Sequence, residues 1–234
     1  MSTVGVLGAN GYVGKAIYES FKRNDNVNVV AITRKNFHRY QKKKFDLLFN
    51  SAMPSKRYWA AQNPQDDYVE TVEKTAMFYN TFLYKKFIQI SSVSARCQLD
   101  TVYGRNKLAS ENLVDTGCNL IIRLGPMYSL GLKKGVLIDI IKNGTVYVNG
   151  ESVYAFADLR FCAKEIVKQK EKTGTIEIGA KNGIALKKVA LKLGKSVDFV
   201  GEIDNQLIKH PQSHYPDAGQ VIDFLIVNQN KLMK

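Results

Sequence analysis

Tyr103 and Lys107 stand four residues apart in the run Tyr103-Gly-Arg-Asn-Lys107. On a helix that spacing puts both side chains on one face. An ammonium beside a phenol favours the phenolate, so it lowers the phenol's pKa from its usual value of about 10. Such a tyrosine can pass a proton at neutral pH. The pattern alone is common on solvated helix surfaces. Its weight here comes from a glycine-rich loop upstream, Gly8-Ala-Asn-Gly-Tyr-Val-Gly14. Val4, Val6 and Leu7 read as a buried strand before that loop. Lys15 to Lys22 reads as a helix after it, with Ile17, Tyr18 and Phe21 on one face. Strand, glycine turn and helix is the setting in which this motif binds a dinucleotide. Gly8 serves the tight turn, Gly11 the approach to a pyrophosphate, and Gly14 the close packing of helix on strand. The helix N-terminus offers free N–H groups to the phosphates. An ordinary glycine turn is the competing reading, and the flanking elements argue against it.

The elements that must position these residues alternate along the chain. Val27 to Thr33, Asp46 to Ala52, Phe87 to Ser91 and Asn119 to Leu124 read as further strands. Asp66 to Tyr84 and Tyr103 to Asp115 read as helices between them. Uninterrupted apolar strands separated by helices imply a parallel sheet covered on both faces, a Rossmann-type doubly wound α/β fold. Ligands then sit at the carboxyl ends of the strands. Past Gly125 the pattern loosens. Helices are expected at Val136 to Lys142, Asp158 to Lys170 and Ile184 to Leu193, with strands at Thr145 to Asn149 and Thr175 to Ile178. From Glu202 on, periodicity decides little. The expected division is a core over residues 1–128 and a reduced substrate lobe over residues 129–234, with 158–180 returning to the sheet.

The 234 residues suit one domain plus a small lobe, and a hydrophobic content of 45% suits a globular core. No apolar run reaches spanning length, and the start reads as a core strand, so no membrane association is expected. Cys97, Cys118 and Cys162 show neither paired nor metal-ligand spacing, which points to a reducing, cytoplasmic setting without a bound metal. The formal net charge is +13, with a dense run at Lys42, Lys43 and Lys44. Solvated surface accounts for most of it. Of the sharper readings, an anionic small ligand is preferred to nucleic acid, because no nucleic-acid-binding motif appears.

Across roughly residues 3 to 195 the chain resembles the extended short-chain dehydrogenase/reductase superfamily, of the epimerase/dehydratase type that acts on nucleotide sugars. Gly8 to Gly14 resembles the cofactor loop of that branch, and Asp46 to Ala52 its motif beside the cofactor. Ile90-Ser-Ser-Val-Ser94 resembles the strand ending at a catalytic Ser or Thr. Tyr103 and Lys107 match its Tyr and Lys. Arg123 to Tyr128 resembles the segment that passes the nicotinamide. Phe156 to Leu159 and Gly174 to Gly179 resemble later motifs. The resemblance implies catalytic roles for Ser92, Tyr103 and Lys107, with Ser91 and Ser94 as rivals of Ser92. Tyr103 would exchange a proton with the substrate oxygen, Ser92 would donate to that oxygen, and Lys107 would hold the nicotinamide ribose and lower the Tyr103 pKa. It implies cofactor contacts at Gly8, Asn10, Gly11, Tyr12, Val13, Gly14, Thr33, Arg34, Lys35, Ser51, Ala52, Lys107, Pro126 and Met127. Substrate contacts would fall at Met53, Ser94, Arg96 and Tyr128. It also implies a homodimer formed through the helices at 66–84 and 103–115.

An acid at the end of the second strand would bind the ribose hydroxyls of NAD, and an arginine would accommodate the 2′-phosphate of NADP. Ile32-Thr-Arg-Lys35 holds no acid, so NADP is expected, with NAD as the alternative. The chain departs from the branch in its length, in the short segment from Ser92 to Tyr103, and in Glu151, where many members carry an arginine. The expected function is reduction of a ketone, a 4-keto nucleotide sugar, by an NADP-dependent enzyme. A nucleotide-sugar epimerase is the alternative within the enzyme class. Dehydration is disfavoured, since Val93 and Ser94 follow Ser92 where dehydratases add an acidic pair. A non-catalytic NADP-sensing protein is the alternative of another class, and the Tyr103/Lys107 pair argues against it.

Overall fold

A computed structural model describes residues 1–23 and 25–233. Asn24 and Lys234, which fall within the two expected domains, lie outside the described residues. The chain divides into two units. The first comprises Met1–Leu124 and Ala163–Ile176, and the second Gly125–Cys162 and Glu177–Lys234.

In the first unit, β1 (Ser2–Leu7) leads through the glycine loop into α1 (Tyr12–Lys22) and β2 (Val27–Ile32). A 3₁₀ turn (Phe37–Tyr40) precedes β3 (Lys44–Asn50), α2 (Arg57–Gln62) and α3 (Pro64–Tyr68). A π-helical stretch, Val69–Glu73, links α3 to α4 (Lys74–Thr81). Then come β4 (Leu83–Ser92), the single turn α5 (Ser94–Cys97), α6 (Val102–Asn112) and β5 (Leu120–Leu124). The single expected helix Asp66 to Tyr84 is corrected at both levels. It widens into a π turn, and Leu83 and Tyr84 already pair with Lys44 and Phe45 of β3.

The second unit supplies β6 (Met127–Tyr128), α7 (Val136–Ile141), β7 (Val153–Tyr154) and β8 (Ala157–Asp158). The chain continues through α8 (Leu159–Lys168) and β9 (Gly174–Ile178), then β10 (Ile184–Ala185), α9 (Leu186–Lys192) and α10 (Gln220–Leu232). Its core gathers Leu137, Ile141, Val189, Val221 and Leu225 from α7, α9 and α10. The expected strand at Thr145 to Asn149 is a single bridge, Val146 to Phe199. The α10 helix was not anticipated.

The main sheet runs β2-β1-β3-β4-β5-β9. The pairs from β2 to β5 are parallel. This is the doubly wound arrangement expected, with the order reversing between β1 and β3. Side chains alternate between its faces. Phe49 meets Phe21 of α1 edge-on at 5.4 Å, while its neighbour Leu48 joins Phe78, Phe82 and Phe87 in the other layer. The reversal opens a crevice at the carboxyl ends of β1 and β3. The glycine loop follows one of these strands, and Ser51 and Ala52 follow the other.

Candidate active site

The glycine loop is closed by backbone contacts. Gly8 N–H donates to Ile32 O at 3.0 Å, and Gly11 N–H to Gly8 O at 2.8 Å. Gly8 sits at φ +76°, and a methyl group there would lie 2.8 Å from the Ala52 backbone. At Gly14 the methyl would lie 2.3 Å from Gly8 O and 2.5 Å from Ser51 Oγ. Only hydrogen fits at either place, so α1 starts hard against the loop. Gly11 caps α1 without a side-chain hydrogen bond, and no acid stands in the first turn. The uncapped N–H groups and the positive end of an 11-residue helix suit a pyrophosphate. Asn10, Tyr12 and Val13 lie in this same segment. Ser51 Oγ donates to Leu7 O at 2.6 Å, which ties the β3 end to the β1 end.

Beyond β2, Thr33 N–H donates to Asn36 Oδ1 at 2.7 Å, and Asn36 Nδ2 to Ala31 O at 3.1 Å. Asn36 thus shapes the loop carrying Arg34 and Lys35, a role the sequence reading missed although Asn is a common turn former. The Arg34 side chain is 88% exposed and meets the Glu70 carboxylate at 3.2 Å. Lys74 meets the same carboxylate.

The second half of the site is built by β4, α5 and α6. Thr101 caps α6, its hydroxyl accepting from Gly104 N–H at 3.0 Å. Tyr103, Lys107 and Ser110 are buried along one helix face. Lys107 Nζ lies 5.3 Å from the centre of the Tyr103 ring. Ser92, at the β4 end, hydrogen-bonds the Tyr103 side chain, and its Oγ lies 3.2 Å from both Ser94 Oγ and Ser94 N. The structure therefore brings Ser92, Tyr103 and Lys107 together, with Ser94 behind Ser92 and Arg96 on the same short turn. Ser91 is drawn elsewhere. Its hydroxyl donates to the buried Glu111 at 2.5 Å, and Glu111 forms a bidentate pair with Arg123. This ties α6 to β4 and β5, so Ser91 has a structural role.

Electrostatics depart from the expected picture. Burial pushes the Tyr103 phenol up to about 12. The hydrogen bond from Ser92 and the charge of Arg57 oppose that rise, and Asp67 adds to it. Desolvation of the buried phenolate outweighs the expected lowering, so the net shift of Tyr103 is upward. Burial brings Lys107 itself down to about 8, against the pull of Asp67 and Glu111. Arg57 and Asp67, from α2 and α3, are site residues that carry no motif in the sequence.

Met53 is half-buried, and its Sδ accepts from Gln89 Nε2 at 3.2 Å over a buried network of Asn50, Thr75, Gln89 and Ser110. Pro126, Met127 and Tyr128 belong to the second unit. Tyr128 is 4% exposed, and its ring lies 4.8 Å from that of Phe224, tilted by 42°, within that unit's core. Glu151 pairs with Lys187 in the same unit. The three cysteines are free thiols. Among the described residues no cluster of metal-ligating side chains occurs, and no helix is long and apolar enough to cross a membrane.

No protein-family model matches the chain, and no curated protein matches its sequence. Solved structures do match. A dTDP-4-dehydrorhamnose reductase from Clostridium acetobutylicum aligns with a TM-score of 0.78 at 16% identity, over 97% of this chain and 99% of that one. The chain shares the fold of that reductase. A UDP-glucuronic acid 4-epimerase from Bacillus cereus, solved with a UDP-sugar and NAD, aligns at 0.77 and 15% identity over 99% of both chains. A dTDP-4-dehydrorhamnose reductase from Bacillus anthracis in complex with NADP aligns at 0.75 and 14% identity, over 97% of this chain and 98% of that one. This is the fold implied by the resemblance to extended short-chain dehydrogenases/reductases.

Proposed function

We propose that this chain is an NADP-dependent oxidoreductase that reduces a ketone, a 4-keto nucleotide sugar, with Tyr103 as proton donor. The observation that carries the reading is the Ser92–Tyr103–Lys107 constellation at the carboxyl end of the sheet, in which Tyr103 and Lys107 are buried beside a half-buried Ser92. A pyrophosphate fits the uncapped start of α1, and Ala52 and Ser51 wall that loop. The bound nicotinamide cofactor supplies the hydride. Tyr103 holds its proton at neutral pH because burial raises its pKa to about 12. It delivers that proton to the oxygen that gains charge. Ser92 donates a hydrogen bond to the same oxygen. Lys107, as an ammonium, steadies the phenolate left behind. Met53, Ser94 and Arg96 are the proposed substrate contacts in this unit.

Arg34 and Lys35 meet the 2′-phosphate, while Thr33 presents no competing carboxylate. The Arg34–Glu70 pair is exposed, so it yields readily to a phosphate. A nucleotide-sugar epimerase is the second reading, supported by the nearly equal likeness to the epimerase solved with NAD. Exposed Tyr68 at the end of α3 and Leu113 just past the end of α6 support a homodimer, which light scattering tests. The three free thiols support a cytoplasmic setting. Incubation with NADPH and a panel of 4-keto nucleotide sugars tests the reaction. Sugar reduced in proportion to NADPH consumed supports the reductase. A nucleotide sugar that carries a 4-hydroxyl, inverted at that carbon in the presence of NAD+ or NADP+ without net cofactor reduction, supports the epimerase, and NADPH bound tightly with neither outcome overturns both.

A further inference from the structure

Asp67 is a buried carboxylate to which the proposed chemistry gives no role. It is fully buried on α3, at 0% exposure. Its Oδ2 accepts from Asn106 Nδ2 at 2.8 Å, and Asn106 is the residue next to Lys107 on α6. Its Oδ1 has no hydrogen-bond partner. A buried carboxylate with a lone oxygen is costly unless its charge is matched nearby. The helix widens into its π turn two residues later, a feature that often marks functional positions.

Lys107 faces few other charges. On its own helix, Glu111 is held by both nitrogens of the Arg123 fork from β5 and by Ser91 of β4. That carboxylate is largely neutralised where it stands. Arg57 of α2 acts on Tyr103, with the same sign as Lys107. Asp67 is the other negative charge that acts on Lys107, and among the described residues it forms no ion pair.

We propose that Asp67, anchored through Asn106, is the counter-charge that keeps the buried Lys107 an ammonium, and so is a positioning residue of the Tyr103–Lys107 pair. This rests on the proposed reaction only for its consequence in turnover. The pull of Asp67 on Lys107 acts in that direction, against burial. Without Asp67 the Lys107 ammonium loses its proton at lower pH. Both Lys107 and Tyr103 must be protonated for reduction, and Asp67 raises both pKa values. The alkaline limb of kcat/KM therefore moves down when Asp67 loses its charge.

The test is an NMR titration of protein labelled at lysine Cε, with Lys107 assigned by Lys107→Met. The wild-type resonance is expected to titrate near 8. In Asp67→Asn, which keeps the shape and the hydrogen bond to Asn106, it should titrate about one unit lower. The alkaline limb of kcat/KM should fall by a similar amount. An unchanged Lys107 titration in a folded Asp67→Asn protein overturns the proposal. If that variant does not fold, Asn106→Ala, which removes the anchor of the Asp67 carboxylate, is titrated instead: a lower Lys107 titration upholds the assignment and an unchanged one overturns it. If Lys107 shifts as expected while wild-type protein reduces no keto sugar, the proposed function fails and the role of Asp67 stands.

Discussion

The two halves of the site are made in opposite ways. The glycine loop is a backbone device, in which Gly8 and Gly14 lie so close to the β3 end that a single methyl does not fit. The Tyr103 helix is a side-chain device, in which burial and neighbouring charges set the protonation of two groups. A backbone device is intolerant of added atoms and indifferent to charge. A side-chain device tolerates isosteric change in shape and is sensitive to every nearby charge. On the proposed reading the contrast separates binding from chemistry, and each half should break without the other.

Tyr103→Phe makes the largest expected break. It removes one hydroxyl and leaves the glycine loop untouched. Turnover should fall by roughly 10²- to 10⁴-fold, with NADPH affinity unchanged by fluorescence titration. Gly14→Ala is the converse. Its methyl meets Gly8 O at 2.3 Å, and relief of the clash must move α1. NADPH binding should weaken by tenfold or more, and denaturant unfolding should show a loss of about 1–3 kcal/mol. The Lys107 titration should stay where it was.

The pH profile sharpens the same comparison. In the proposed mechanism Lys107 works as an ammonium, and burial lowers its pKa to about 8. Activity is therefore full below that value and falls as pH rises through it. NADPH affinity, set mainly by the backbone loop, should change much less over the same range. The smallest expected effect is at Arg34, whose side chain is 88% exposed and shared with Glu70. Arg34→Ala should weaken NADPH by about tenfold, as for one charge-assisted contact, and leave NADH nearly unaffected. Added salt should shrink the difference. Equal losses for both cofactors would show that Arg34 does not read the phosphate.

The backbone device was the more legible half. Glycines at fixed spacing between a strand and a helix state a steric requirement that survives without knowledge of the fold. Tyr103 and Lys107 were legible as a pair because four residues define one helix face. What surrounds them was not. Asp67 and Arg57 reach the pair from α3 and α2, 36 and 46 positions before Tyr103 in the sequence, and no local pattern links them to it. The sign of the tyrosine shift was misjudged for the same reason, since burial is a property of the packed structure. The strands of the first unit were readable from continuous apolar runs. In the second unit the strands are two residues long and carry no periodicity, and α10 begins without a side-chain cap after a stretch of weak pattern.

Transfer of label from deuterated NADPH to a 4-keto nucleotide sugar, followed in a single turnover, tests the central claim most directly. Wild-type protein should place deuterium on the sugar carbon that becomes the alcohol. Tyr103→Phe should do so at least about a hundredfold more slowly while binding NADPH equally well. Equal rates in the two proteins, or bound NADPH that passes no label to any such sugar, would contradict the account.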